Sequence, residues 1–179
     1  MRTDFSKRSQ NMPLINEHVL ALVGYESGVS EAPDAVERSA VRRFVQASMD
    51  QDPAYQVANP TDLEAPELFP MNMFVRSFGT PDLLSERAAD PDFDGAIAAT
   101  MRNLPELPLP SLVRLNGGYE IQIFRCAKVG ERVRMKSRYV DITERQGSKG
   151  PMVLAVVDTD YFTADGDPLL RVRNTSIYR

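Results

Sequence analysis

The sequence predicts an α+β protein, and three observations carry that prediction. Apolar residues recur at helical spacing in the first third, the pattern changes to period two from Gly118 onward, and the two regimes do not interleave. A chain of 179 residues has the length of one domain and can bury a real core. We therefore expect a single domain over 1–179. Residues 1–12 are expected to form a flexible tail: the start is polar and basic, without the apolar region of a signal peptide.

The first helix is expected over 13–23, where Ile15, Val19, Leu22 and Val23 share a face and Gly24 is a natural stop. The second is better marked. Asp34 can cap it, Glu37 three residues on completes a capping box, and Val36, Ala40, Val41, Phe44, Val45, Ser48 and Met49 follow at helical spacing. Arg38, Arg42, Arg43 and Gln46 fall elsewhere on its surface. The helix ends where Asp50 opens the loop Asp50-Gln51-Asp52-Pro53-Ala54-Tyr55, and Pro53 prevents its continuation.

Pro60, Pro66, Pro70 and Pro81 then break the chain repeatedly, while Phe69, Met71, Met73, Phe74, Val75 and Phe78 supply large apolar groups. Residues 82–110, with a short helix expected over 93–104, read as an insertion covering a pocket or forming a subunit contact. Four strands follow. Tyr119, Ile121 and Ile123 alternate with Glu120 and Gln122; Val133, Met135 and Tyr139 alternate with Arg134, Lys136 and Arg138; apolar runs occupy 152–162 and 170–178. Turn-like links at Gly130, Gly147–Gly150 and Asp165-Gly166 suggest that all four form one antiparallel meander.

Composition narrows the function. A net charge of −4 argues against nonspecific nucleic-acid binding, which needs a concentrated basic field. One cysteine, Cys126, forms no internal disulfide, and a reducing cytoplasm is the simplest compartment. No apolar run approaches the roughly 20 residues that span a bilayer. One histidine, His18, and one cysteine give no zinc-type cluster, so no metal or resident cofactor is expected.

Three stretches carry a family resemblance. One is the helix and loop from Arg43 through Phe44, Val45 and Met49 to Asp50, Asp52, Pro53 and Tyr55, similar to a helix followed by a D-x-N-P-x-H or D-x-N-P-x-Y loop. The second is Leu115-Asn116-Gly117-Gly118-Tyr119-Glu120 with the later Val129-Gly130-Glu131 turn. The third joins Val140-Asp141-Ile142-Thr143-Glu144-Arg145 to Gly150-Pro151-Met152-Val153, Tyr161-Phe162 and Gly166. Together they cover most of 24–179, and their order resembles the MaoC-like acyl dehydratases, more narrowly the amino-terminal FAS1-like dehydratase half. That resemblance implies a hot-dog fold, an antiparallel sheet wrapped around a central helix, with two such units usually paired over a thioester.

Hydratases of this family use an Asp and a His from one loop to activate water, and a backbone N–H to polarise the thioester carbonyl. Here Asp50 stands in the place of the Asp, Tyr55 in that of the His, and Asp52 replaces the usual Asn. A phenol with a pKa of about 10 is a poor base at neutral pH but a competent donor. Asp50 is open to two readings, helix terminator or catalytic carboxylate, and Tyr55 to two, half-buried aromatic or degenerate acid. Phe69, Met71, Met73 and Phe74 can be core or the wall of an acyl pocket. The row Arg132, Arg134, Lys136 and Arg138 can be a solvated face or a phosphate contact, with Arg134 the candidate ligand residue. Asn116, Gly117 and Gly118 can ease strand entry or admit a ligand close to the backbone. His18 and Cys126 are expected to be structural.

The resemblance therefore implies a subunit of an (R)-specific enoyl-CoA hydratase or 3-hydroxyacyl thioester dehydratase. A second MaoC-like chain would supply the intact dyad, and a coenzyme A or carrier-bound acyl thioester would be the substrate. The alternative is a noncatalytic homodimer that binds acyl thioesters or scaffolds a complex.

Overall fold

The structure, a computed structural model, describes residues 13–58, 60–91, 102–109 and 112–179. The expected tail lies outside these residues, as does the helix expected over 93–104 except for its last three positions, which form turn and coil. In order, the elements are helix α1 (Glu17–Leu20), strand β1 (Ser30–Glu31), helix α2 (Arg38–Ser48), 3-10 turns at Pro53–Tyr55 and Phe69–Asn72, helix α3 (Leu83–Arg87), and strands β2 (Arg114–Ile123), β3 (Val133–Gly147), β4 (Gly150–Thr163) and β5 (Pro168–Tyr178). The α+β expectation holds. Among the described residues no helix is long and apolar enough to cross a membrane.

Both early helices differ from expectation at their starts. α1 is one turn long because the chain before it is held elsewhere: the backbone N–H groups of Leu14 and Ile15 donate to the Glu144 carboxylate, and Asn16 caps the helix through Val19 N–H at 3.0 Å. The Asp34–Glu37 capping box does not form. Val36 N–H donates to Glu131 O and Val36 O accepts from Gly130 N–H, which ties this segment to the turn before β3. Glu37 becomes the N-cap residue, with no side-chain cap bond.

The five strands run in the spatial order β1-β3-β4-β5-β2, all pairs antiparallel. β3, β4 and β5 form the expected meander through the Gly147–Gly150 and Ala164–Asp167 turns. β2 corrects it. This strand pairs with β5 at the far edge, Ile121 opposite Val172 and Ile123 opposite Leu170, so the 124–132 link crosses over instead of turning a hairpin. Period-two alternation marks which face a side chain takes, not which strand lies beside it.

α2 lies on the inner face of this sheet. Its Val41 and Val45 join Val36, Phe69, Met73, Val133, Met135, Tyr161, Leu169, Leu170 and Val172 in one buried cluster. A second cluster, around Val19, Leu104, Leu109, Tyr139, Ile142, Val153, Ala155 and Val157, lies beneath α1 and the 102–109 segment. Between them lie buried polar side chains: Ser27 in the segment before β1, and Ser137, Thr159, Asn174 and Ser176 on the strands. These are satisfied locally. Ser137 Oγ and Thr159 Oγ1 are 3.0 Å apart, Ser27 Oγ accepts from Ser137 N–H, and Asn174 bonds Asn116, Gly118 O, Ser176 and Arg102.

One register pair separates core from edge. Leu170→Ala should lower the unfolding free energy by about 2–5 kcal/mol. Ile123→Ala on the neighbouring strand, where the side chain is 49% exposed, should change it by about 1 kcal/mol or less in the isolated chain. Urea denaturation of the two variants measures the contrast.

Candidate functional site

The site begins where α2 ends. Met49 closes the helix in the left-handed region, φ 55° and ψ 36°, and Asp50 N–H donates back to Val45 O at 3.0 Å. Asp50 Oδ1 then accepts from Asp52 N–H at 3.0 Å, and Asp52 Oδ1 from Ala54 N–H at 2.8 Å. Two consecutive carboxylates thus fold the loop, and Pro53 starts the 3-10 turn that delivers Tyr55.

This geometry opens a groove of about 540 Å³ between α2 and the following loop. Val41, Val45, Met49 and Leu63 provide apolar lining; Arg38, Arg42 and Gln46 stand along the helix, Gln51 and Gln56 on the loop, and Asp50 and Tyr55 at the helix C-terminal end. The structure therefore brings the two expected dyad positions to one wall. Asp50 shapes the turn, as the helix-terminator reading expects, and the residue also lines the groove.

Tyr55 is half-buried and packs against the α2 cluster. Burial, then the neighbouring Cys126, Asp50, Glu67 and Asp52, push its phenol up to about 12. It keeps its proton at neutral pH and is a donor, not a base. Cys126 is no substitute nucleophile, because burial and the carboxylates of Glu67 and Glu64 push its thiol up as well. His18 is exposed on α1, whose buried residue Val19 belongs to the other core cluster.

None of the other nominated residues lines this groove. Phe69 and Met73 are buried beneath it, Met71 and Phe74 pack against the same cluster, and the Phe69 ring meets Phe44 edge-on at 5.5 Å. Asn116, Gly117 and Gly118 build the β2 bulge instead: Asn116 Oδ1 accepts from Gly118 N–H, Gly118 has φ 125°, and a Cβ on Gly117 would lie 2.9 Å from Thr175 O. Arg134 is held by Glu31 at 2.8 Å and by Ala164 O at 2.9 Å. Arg132 also pairs with Glu31, and Lys136 pairs with Glu26, so these three members of the basic row are already partnered. Arg38, Arg42 and Gln46, expected only as helix surface, line the groove, as does Gln56, for which the sequence held no expectation; the i, i+4 arginine pair on one flank of α2 was the available signal.

The family model described as "FAS1-like, dehydratase domain region" matches residues 21–172. No curated protein sequence matches. Among solved structures, similarity extends to the ChsH1-ChsH2 complex from Mycobacterium tuberculosis, with a TM-score of 0.63 and 14% identity over 89% of this chain and 86% of that one. It extends to the C-terminally truncated HadBC (3R-hydroxyacyl-ACP dehydratase) complex from the same organism, with a TM-score of 0.52 and 15% identity over 87% and 96%. A MaoC-like dehydratase aligns with a TM-score of 0.55 and 14% identity over 89% of this chain and 42% of the other. At these identities the likeness shows the fold, and the hot-dog expectation is met.

Two measurements check the local assignments. The difference between alkaline absorbance titrations of the native chain and Tyr55→Phe should isolate one phenol titrating near 12. The raised folded-state value means that Tyr55 supports folding below the ordinary value of 10.0, and that support is lost as pH climbs through the alkaline range. Separately, Gly117→Ala should destabilise the chain by roughly 1–3 kcal/mol through the crowded contact with Thr175, read as a lower urea midpoint.

Proposed function

The chain belongs to the FAS1-like dehydratase domain family, and on that premise we propose that it is one subunit of an (R)-specific enoyl-thioester hydratase or 3-hydroxyacyl-thioester dehydratase. It shapes the substrate groove, while a second hot-dog chain supplies the Asp/His pair. The observation that carries this reading is the groove wall itself. Its carboxylate, Asp50, stands beside a phenol that stays protonated at neutral pH, and the single histidine of the sequence is elsewhere. Adding water to an enoyl thioester requires a group that takes a proton from water and another that delivers one to the α-carbon. Asp50 and Tyr55 do not form the exchangeable pair that histidine provides near pH 7.

The sheet edge supports a partner. Among the described residues β2 is paired on one side only, and its Tyr119, Ile121 and Ile123, opposite Asn174, Val172 and Leu170 of β5, are 52%, 40% and 49% exposed. A row of large apolar side chains at an open strand edge is what a second sheet would cover. The two solved complexes named above each join two differently named chains, which agrees with a heteromer here.

The test is hydration of crotonyl-CoA and longer enoyl-CoA thioesters by the purified chain, then by the chain mixed with a histidine-containing hot-dog partner. We expect no turnover alone and turnover on mixing. Asp50→Asn preserves the acceptor that folds the loop and removes only the charge. In the mixed enzyme it should leave kcat nearly unchanged, whereas replacing the partner's dyad histidine should cost at least about 100-fold. Turnover by the isolated chain, abolished by Asp50→Asn, would instead make this loop catalytic. Ile121→Lys should weaken association with the partner, measured by analytical ultracentrifugation; undiminished association would show that β2 is not the contact.

A further inference from the structure

We propose that Arg38 and Arg42 form the diphosphate-binding end of the groove, so that this chain itself holds a coenzyme A thioester by its nucleotide side. This proposal rests on the thioester reading above. The two arginines are one helical turn apart, on the same flank of α2, and both line the groove. Among the described residues neither makes an ion pair, in contrast to Arg132, Arg134 and Lys136. Asp62, Glu64 and Lys128 share a neighbouring recess with Arg38, but Arg42 faces only the groove among the recesses described.

The length of the groove selects the ligand. At 1.5 Å per residue, Arg42 and Arg38 stand about 9 and 15 Å along α2 from Ser48, its last residue, beyond which Met49 and Asp50 turn back. An extended chain covers that distance in about 8–13 bonds, and the upper end is the span between the phosphorus and the sulfur of a phosphopantetheine thioester. With the sulfur end beside Asp50 and Tyr55, the amides of the arm pass Gln46 and Gln56. Two guanidinium groups match the two negative charges of a diphosphate; an arm tethered to a carrier protein presents a single phosphodiester charge. Charge complementarity therefore favours free coenzyme A over a carrier.

Calorimetric titration of the full chain at low ionic strength tests the assignment, with coenzyme A, dephospho-coenzyme A and pantetheine as probes. Coenzyme A and dephospho-coenzyme A should bind alike. Arg38→Gln and Arg42→Gln should each weaken both by about tenfold or more, and pantetheine should be insensitive to either change. Arg43→Gln makes the same change in net charge on the same helix, away from the groove, and should bind as the native chain does. Matching thermal midpoints establish that all variants are folded. Absence of coenzyme A binding, equal affinity for pantetheine, equal losses in Arg43→Gln, or binding of a phosphopantetheinylated carrier but not coenzyme A would each overturn the proposal. Arginine-dependent coenzyme A binding without hydration in the mixed enzyme would leave it standing and remove the hydratase reading. Hydration with a KM indifferent to both arginines would do the reverse.

Discussion

Burial of the Val41–Val45 stripe against the inner face of the sheet is the constraint on which the rest depends. Each fully buried aliphatic side chain contributes about 1.5–3 kcal/mol, and this pair meets residues from β3, β4 and β5 in one cluster. Once that stripe is buried, the azimuth of α2 is fixed. Arg38, Arg42 and Gln46 must then lie along its flank, and the C-terminal end of α2 must release the chain beside the same cluster. The left-handed Met49 and the two carboxylate-capped turns that follow fold the loop back, so the groove is a by-product of packing the helix.

Much of the fold was legible because the sequence writes it locally. The α2 periodicity, the Pro53 stop and the Gly147–Gly150 and Asp165-Gly166 turns each act within a few residues, and each stands where expected. What was not legible depends on partners far along the chain. Glu144 reaches back to shorten α1, Glu131 and Gly130 displace the α2 cap, and β2 pairs across the whole meander with β5. The Asp50–Tyr55 loop was recognisable by its residues, but their protonation was not: the phenol is shifted first by burial and then by charges that tertiary packing brings near it. The basic row on β3 was misleading for the same reason, since Glu26 and Glu31 arrive from a strand and bridge more than a hundred positions earlier.

The site divides its work between shape and chemistry. α2 and its loop provide a lined channel with cations at one end and a carboxylate and phenol at the other. A phenol that remains protonated can hold a thioester or a water in place without competing for its proton. With Tyr55 at this position, the loop presents a hydrogen-bond donor to the groove instead of a group that exchanges protons near neutral pH.

The buried hydroxyl and amide side chains between the two core clusters act on the sheet as a gauge of alignment. Ser137 faces Thr159 across β3 and β4, and Asn174 reaches from β5 to Asn116 on β2. Aliphatic contacts tolerate a sliding strand, because one methyl group packs nearly as well as the next. Hydroxyls do not: a shift of two residues, which keeps every side chain on its face, would set Ser137 opposite Val157 or Tyr161, at about 1–3 kcal/mol for each polar group stranded without a partner. The oily halves of the core supply adhesion, and the narrow polar seam between them admits a single strand alignment.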